Sequence, residues 1–260
     1  MTATVLHPFT AETALLLVAI GFGVGTFGTL VGAGGGFILT PILLLLYPHD
    51  SPRTITAISL AVVFFNAASG STAYARQRRI DYRSGTVFAL ATLPGAVGGA
   101  FLVGHVSRHA FNGIMGGVLA LLAVWLLAGE RWPLPKPADP LRRGALYSLG
   151  VGFISSFLGI GGGVIHVPLL VRALGFPMHL ATATSHFVLA VMAGAGTITH
   201  IALGSFAHGH GWRRTAALSV GVVAGAQLGA HVSLRLRGAV IQWLLAAALL
   251  ALAARLLLAA

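Results

Sequence analysis

Two short glycine runs, Gly32-Ala33-Gly34-Gly35-Gly36 and Gly159-Ile160-Gly161-Gly162-Gly163, offer the clearest chemistry in this sequence. Glycine resists helix formation, and each run is followed five residues later by a proline, Pro41 or Pro168, so a helix entering either run breaks there. The break frees backbone N–H groups, and a helix restarting at Phe37 or Val164 directs its positive dipole end back toward them. A small anion is the ligand that such a pair of helix ends suits, with Gly34, Gly35, Gly36, Gly161, Gly162 and Gly163 as its contacts. The competing role is structural, since small residues also let membrane helices pack closely. Duplication of the run, and the proline after each copy, favour binding. A nucleotide loop is excluded: no Lys-Ser or Lys-Thr follows, and Phe37 or Val164 stands where a dinucleotide fingerprint needs its third glycine.

Polar side chains inside apolar stretches come next. Ser59 and Ser185 occupy matching positions, Asn66 lies on the face below Ser59, and Thr182, Thr184 and His186 flank Ser185. Their hydroxyl, amide and imidazole groups can donate to an oxyanion, or can tie neighbouring helices together. Histidine is the only titratable type well inside the apolar runs, because Glu12, Asp50, Asp81, Glu130 and Asp139 all sit at ends or in loops. A carboxylate proton relay is therefore not expected. Proton coupling falls to His166, His186 and His200, the last about 40° round the helix from His186. Leu39 stands at the His166 position of the first half.

No catalytic residue is expected, because Ser185 and His186 are adjacent and helix neighbours do not face each other. No metal is expected either: the eleven histidines show no ligand spacing, His208 and His210 being loop residues. Cysteine is absent, which removes disulfides, thiolate sites, iron–sulfur clusters and thiol nucleophiles.

The elements that must position these groups are membrane helices. With 57% hydrophobic residues, 8% charged residues and a mean hydropathy of +0.90, the chain is excluded as a soluble enzyme. Apolar stretches run roughly over residues 13–47, 54–75, 84–104, 110–128, 145–174, 180–203, 215–232 and 239–258, most of them about the 20 residues of one crossing. The first dozen residues carry no Lys or Arg and no cleavage site follows, so a removable signal peptide is not expected.

The chain repeats itself. VGAGGGFILTPILL at 31–44 aligns with LGIGGGVIHVPLLV at 158–171, Ala57-Ile58-Ser59 faces Ala183-Thr184-Ser185, and Gly95–Ala100 faces Gly225–Ala230, in the same order. Residues 129–143, with four prolines and both signs of charge, divide the copies. The organisation expected is an N-terminal transmembrane repeat at 1–128, a cytoplasmic linker at 129–143 and a C-terminal transmembrane repeat at 144–260. The first apolar run of 35 residues would make a helix of roughly 52 Å against a hydrocarbon core of about 30 Å, so it must fold back, and the glycines mark where. Backbone freed there must be buried in protein or line a wet cavity.

Sixteen Lys and Arg stand against five Asp and Glu, a net charge of +11. Counted loop by loop, the basic residues divide eleven to five whether each glycine-broken run crosses once, giving eight spans, or twice, giving ten. Both counts put the Arg76–Arg83 loop and the 129–143 linker in the cytoplasm. That loop, RQRRIDYR, reads as a positive-inside anchor rather than a substrate or lipid site. Eight spans make the repeats parallel and ten make them inverted; paired broken helices favour inverted repeats. The fold class is thus all-α, a polytopic transmembrane helical bundle of 8–10 spans built from two homologous repeats, each with a glycine-broken first helix.

The paired glycine motifs with their prolines, the Ala-Thr-Ser cluster in the following span and the central linker resemble the sulfite exporter TauE/SafE family of membrane permeases, over nearly the whole chain. The resemblance implies an inner-membrane carrier, not an enzyme, for sulfite, organosulfonates or related sulfur oxyanions, often in export. Carried onto matching positions, it implies a site around Gly34–Gly36, Gly161–Gly163, Ser59 and Ser185. No cofactor is implied. The expected partners are the small anionic substrate, membrane lipids and a second copy in a homodimer, with no nucleic acid. The alternatives are a passive anion channel and an uptake permease for another small anion.

Overall fold

The computed structural model describes residues 9–127, 139–206 and 210–257, within which the chain forms helices and short turns and no strand. The order is α1 (Ala11–Leu30), α2 (Gly36–Leu46), α3 (Pro52–Arg76), α4 (Tyr82–Leu102) and α5 (Arg108–Leu127), then α6 (Pro140–Leu158), α7 (Gly163–Pro168), α8 (Met178–Ala202), α9 (Gly211–Ser233) and α10 (Gly238–Leu257). Helix α7 is lengthened by a π turn, Leu169–Ala173, directly after Pro168, where proline removes a backbone donor and disturbs the regular ladder. Six helical segments are long and apolar enough to cross a membrane: Ala11–Leu30, Pro52–Arg76, Tyr82–His105, Met178–Ala202, Gly211–Ser233 and Ala239–Leu256. The chain is therefore a multi-pass membrane bundle.

Caps fix where the helices start. Thr10 accepts from the Thr13 amide, Ser51 from Thr54, Asp81 from Ser84 and Asp139 from Arg142, with Pro52 and Pro140 at the first helical positions. Two of the acidic residues are thus helix caps. Helix α6 begins inside the 129–143 segment; residues 129–138 of that linker, with Glu130, Arg131 and Lys136, lie outside the described residues, as does His208.

The long first apolar run folds back as expected. Helices α1 and α2 form an antiparallel hairpin, with Phe27 against Phe37 (6.4 Å between rings) and the Val24 side chain against Gly35. The second half repeats this: Ser148 on α6 meets His166 on α7 at 3.1 Å, and Ser155 lies against Gly162. Gly35 (φ 79°) and Gly162 (φ 36°) immediately precede α2 and α7, in a conformation that residues with a Cβ adopt at a cost.

The halves interlock. Helix α1 runs parallel to α9, Gly21 and Gly25 meeting Leu218 and Val222 while Gly225 and Gly229 meet Phe22, Thr26 and Leu30. In the same manner α4 runs parallel to α6 through Gly95, Gly99 and Gly152. Glycine every fourth residue removes the side chains that would hold the backbones apart, which is how membrane helices gain contact without a hydrophobic driving force. At the centre α3 and α8 cross antiparallel, with Leu60 on Gly196, Phe64 on Gly194 and His186 on Gly70. Large apolar side chains such as Leu15, Leu90, Leu121, Leu146, Ile198, Val220 and Trp243 face outward, whereas Thr29, Ser59, Asn66, Ser155, Ser156, His186 and His200 are buried.

Candidate functional site

The two glycine turns lie against each other between α3 and α8. A Cβ on Gly36 would fall 2.7 Å from the Gly159 carbonyl oxygen, and one on Gly163 would fall 2.7 Å from the Ala33 Cα. Val63, midway along α3, touches Gly34, Gly36 and Gly161. Freed backbone within the membrane is thus buried in protein. At each turn the amides of the third and fourth residues of the restarting helix return to the glycine before it: Ile38 and Leu39 to Gly35, Ile165 and His166 to Gly162.

Each half supplies the serine that holds the other half's turn. Ser59 donates to the Gly159 carbonyl at 2.7 Å, with Thr40 Oγ1 2.9 Å from both, and Ser185 reaches the Gly32 carbonyl at 3.5 Å. The matched serines are therefore carbonyl partners, and the Ser59 proton is engaged. Asn66 is engaged as well: its Nδ2 donates to the Gly34 carbonyl at 3.0 Å and its Oδ1 accepts from Thr29 at 3.2 Å. Thr29 Oγ1 also lies 3.2 Å from His186 Nε2, and Tyr74 donates to the Thr29 carbonyl at 2.6 Å. Thr182 bonds the Met178 carbonyl and rests its methyl against Gly32 of the first turn, while Thr184 accepts from the Asp81 amide at 3.0 Å.

A small cavity adjoins the second turn. It measures about 10 Å3, room for a single water, and is lined by Gly162, Gly163, His166 and Ser185 together with Thr92, Val151, Val188, Leu189 and Met192. His166 Nδ1 and Ser155 Oγ are buried here without a partner, and the edge of the Phe88 ring meets the imidazole at 5.8 Å. In the first half, fully buried Leu39 occupies the position that His166 holds in the second.

The three histidines stand apart. His166 Nε2 pairs with Ser148, His186 with Thr29, and His200 Nδ1 with Ser205 at 3.1 Å. His186 and His200 are separated by about 21 Å along α8, so of the three only His166 lines the cavity. Among the described residues, no three His, Cys, Asp or Glu side chains come together as a metal site.

Charged clusters close the two ends. On the Arg76–Arg83 face, Arg79 covers the Tyr74 ring (5.2 Å) and donates to the His179 carbonyl at 3.2 Å; burial pulls its pKa below the usual arginine range, and Tyr74 partly offsets this. On the opposite face, Arg214 pairs with Asp50 at 2.5 Å and lies 3.6 Å over the Tyr47 ring, while Arg108 donates to the carbonyls of Leu44, Tyr47 and Asp50. Burial raises the Tyr47 pKa against the opposing charge of Arg214. The carboxylates described here are caps or ion-pair members, or lie in the first turn of α1 (Glu12), so none lines the cavity.

Sequence reasoning missed Thr29, Tyr74, Thr40, Ser155 and Ser156. The signal for three of them was present: Thr29 and Ser156 share the 127-residue offset of the glycine motifs, and Tyr74 shares with His200 the 126-residue offset of the serines.

The sequence model of the family described as sulfite exporter TauE/SafE matches residues 17–256. The probable membrane transporter protein YunE of Bacillus subtilis (strain 168) is 27% identical over 248 residues, covering 86% of this chain and 89% of its own. The probable membrane transporter protein MJ0441 of Methanocaldococcus jannaschii is 28% identical over 192 residues, 72% of each chain. A probable membrane transporter protein of Xylella fastidiosa (strain Temecula1) is 29% identical over 177 residues, 65% of this chain and 68% of its own. No solved structure matches the chain.

Proposed function

The chain belongs to the sulfite exporter TauE/SafE family, and we propose accordingly that it is a secondary carrier of the bacterial inner membrane that exports a small sulfur oxyanion, sulfite or an organosulfonate. The observation that carries this reading is the cavity at the second glycine turn, where glycine backbone, Ser185 and an unpartnered His166 nitrogen converge and no carboxylate lines the wall. Such a wall offers donors to an oxyanion and repels none of its charge.

A cavity the size of one water must widen to admit sulfite, so binding is coupled to separation of the two hairpins. Matching helices α3 and α8 run antiparallel, which supports inverted repeats related by an axis in the membrane plane; exchange of the halves' arrangements then turns the site from one side to the other. Gly34, Gly35 and Gly36 contribute to the anion when the Thr29–Asn66–His186 bonds open. The Arg76–Arg83 loop and the 129–143 linker face the cytoplasm by their positive charge. The gradient of a proton or of the anion drives the cycle, and His166 is the group placed to exchange a proton with the substrate.

The test is uptake of labelled sulfite, sulfoacetate and thiosulfate into proteoliposomes under several pH gradients. Saturable flux that exchanges against internal substrate is expected. Linear flux without exchange would make the protein a channel, inward accumulation would make it an uptake permease, and no flux of any of the three would remove the substrate assignment.

A further inference from the structure

The matching buried polar positions of the two halves are more fully bonded on one side of the turns than on the other. Toward the Arg76–Arg83 face, Tyr74, Thr29, Asn66 and His186 bond one another, with His186 Nδ1 the unpartnered atom among these four side chains. The matching positions toward the opposite face are His200 for Tyr74 and Ser156 for Thr29. There Ser156 Oγ, its neighbour Ser155 Oγ, His200 Nε2 and Arg53 Nε are all buried without a partner, although His200, Ser155 and Ser156 are wholly inaccessible. An unpartnered buried polar group costs free energy unless a ligand meets it.

These atoms lie between that face and the cavity. Arg53, in the first turn of α3, lies in the notch left by Gly104, where a Cβ would come within 2.7 Å of its Nε, Cζ and Nη2. Because α3 and α8 cross antiparallel with Leu60 on Gly196, Arg53 at the start of α3 and His200, one turn beyond Gly196 on α8, lie toward the same end of that crossing, where the Arg53 charge acts on His200. Ser156 Oγ is 3.0 Å from where a Gly196 Cβ would be, and Ser155 Oγ is 3.0 Å from the corresponding point on Gly162, at the cavity. The neighbouring acid, Asp50, is held by Arg214. Arg53 makes no ion pair among the described residues, and the α3 N-terminus adds positive potential beside it. With Ser205 at Nδ1, the His200 tautomer that accepts from the serine carries its proton on Nε2, as a free donor.

We propose that Arg53 and His200 form a docking site for a small oxyanion on the face opposite the Arg76–Arg83 loop, and that Ser156 and Ser155 pass the anion from it to the cavity at Gly162. The planar guanidinium fork matches two oxygens of one oxyanion. This inference rests on the carrier function proposed above.

The experiment measures sulfite flux separately from each side of proteoliposomes. Because the chain has no cysteine, a single Arg76→Cys substitution reports orientation. Arg53→Gln is expected to raise the half-saturating sulfite concentration on the Arg53 side by roughly tenfold or more, and to change it by less than about twofold on the other. Arg53→Lys is expected to recover part of the loss. Unchanged half-saturation on the Arg53 side, or an equal rise on both, overturns the docking site while saturable wild-type flux leaves the carrier assignment standing. If the wild type moves no sulfite, the substrate assignment fails and the docking site is judged by thermal stabilisation in nanodiscs with sulfate and with phosphate. Stabilisation of the wild type that Arg53→Gln abolishes sustains the site; equal stabilisation of both proteins overturns it.

Discussion

His166 and His186 are both buried imidazoles one bond from a hydroxyl, yet they face different surroundings. Each leaves its Nδ1 unpartnered, but His186 fills the space between Thr29 and Gly70, whereas His166 lines the cavity at the second glycine turn. His166→Gln is therefore expected to remove the dependence of sulfite flux on the pH gradient, and His186→Gln to retain it, both read in proteoliposomes at fixed membrane potential. The stabilities should divide the other way for truncation: His186→Ala is expected to lower unfolding free energy by about 2–4 kcal/mol, through a cavity and an orphaned Thr29, as measured by denaturation in detergent. Dependence on the pH gradient that survives His166→Gln would remove that residue from coupling. The sequence made the matched serines legible as a pair but not their partners. An offset of 126 residues says that Ser59 and Ser185 are equivalent; it is silent on each binding the other half's carbonyl, because that depends on how the halves interlock.

At the scale of elements, the glycines separate into those that touch backbone and those that touch nothing. Gly36→Ala forces a methyl against the Gly159 carbonyl and Val63, and is expected to cost about 1–3 kcal/mol. Gly150→Ala, with open space around it on exposed α6 surface, is expected to be neutral or to stabilise by up to about 1 kcal/mol through helix propensity. Melting temperatures of the two variants in one detergent check this, and equal destabilisation would mean that the turns can separate freely. The fold-back of the first run was legible because its length exceeded the membrane and glycine marked the break. The small residues of α1, α4, α6 and α9 were legible as packing surfaces in general, but which helix each one meets was not, since parallel pairing of α1 with α9 joins elements about 200 residues apart.

For the whole molecule, the proposed inverted arrangement predicts opposite exposure of equivalent loops in the two halves. Single cysteines at Arg76 and at Arg213 are expected to react with a membrane-impermeant maleimide from opposite sides of intact cells, Arg213→Cys from outside. Labelling of both from one side would return the repeats to a parallel arrangement. Charge counting could not distinguish these cases because both topologies divide the basic residues eleven to five; the decision lies in the direction in which α3 and α8 cross, a tertiary property.

The exchange of carbonyl partners between halves has a consequence for how the protein is made. The Gly32 carbonyl waits for Ser185, and α1 waits for α9. At about 5–20 residues per second, synthesis of the intervening 200 or so residues takes on the order of 10–40 s. During that interval the ribosome and insertion machinery hold a glycine-rich helix whose permanent neighbour does not yet exist. Quality control of this protein must therefore tolerate an unfinished amino-terminal half, and a chain truncated before α9 would present the same surface to membrane proteases without end.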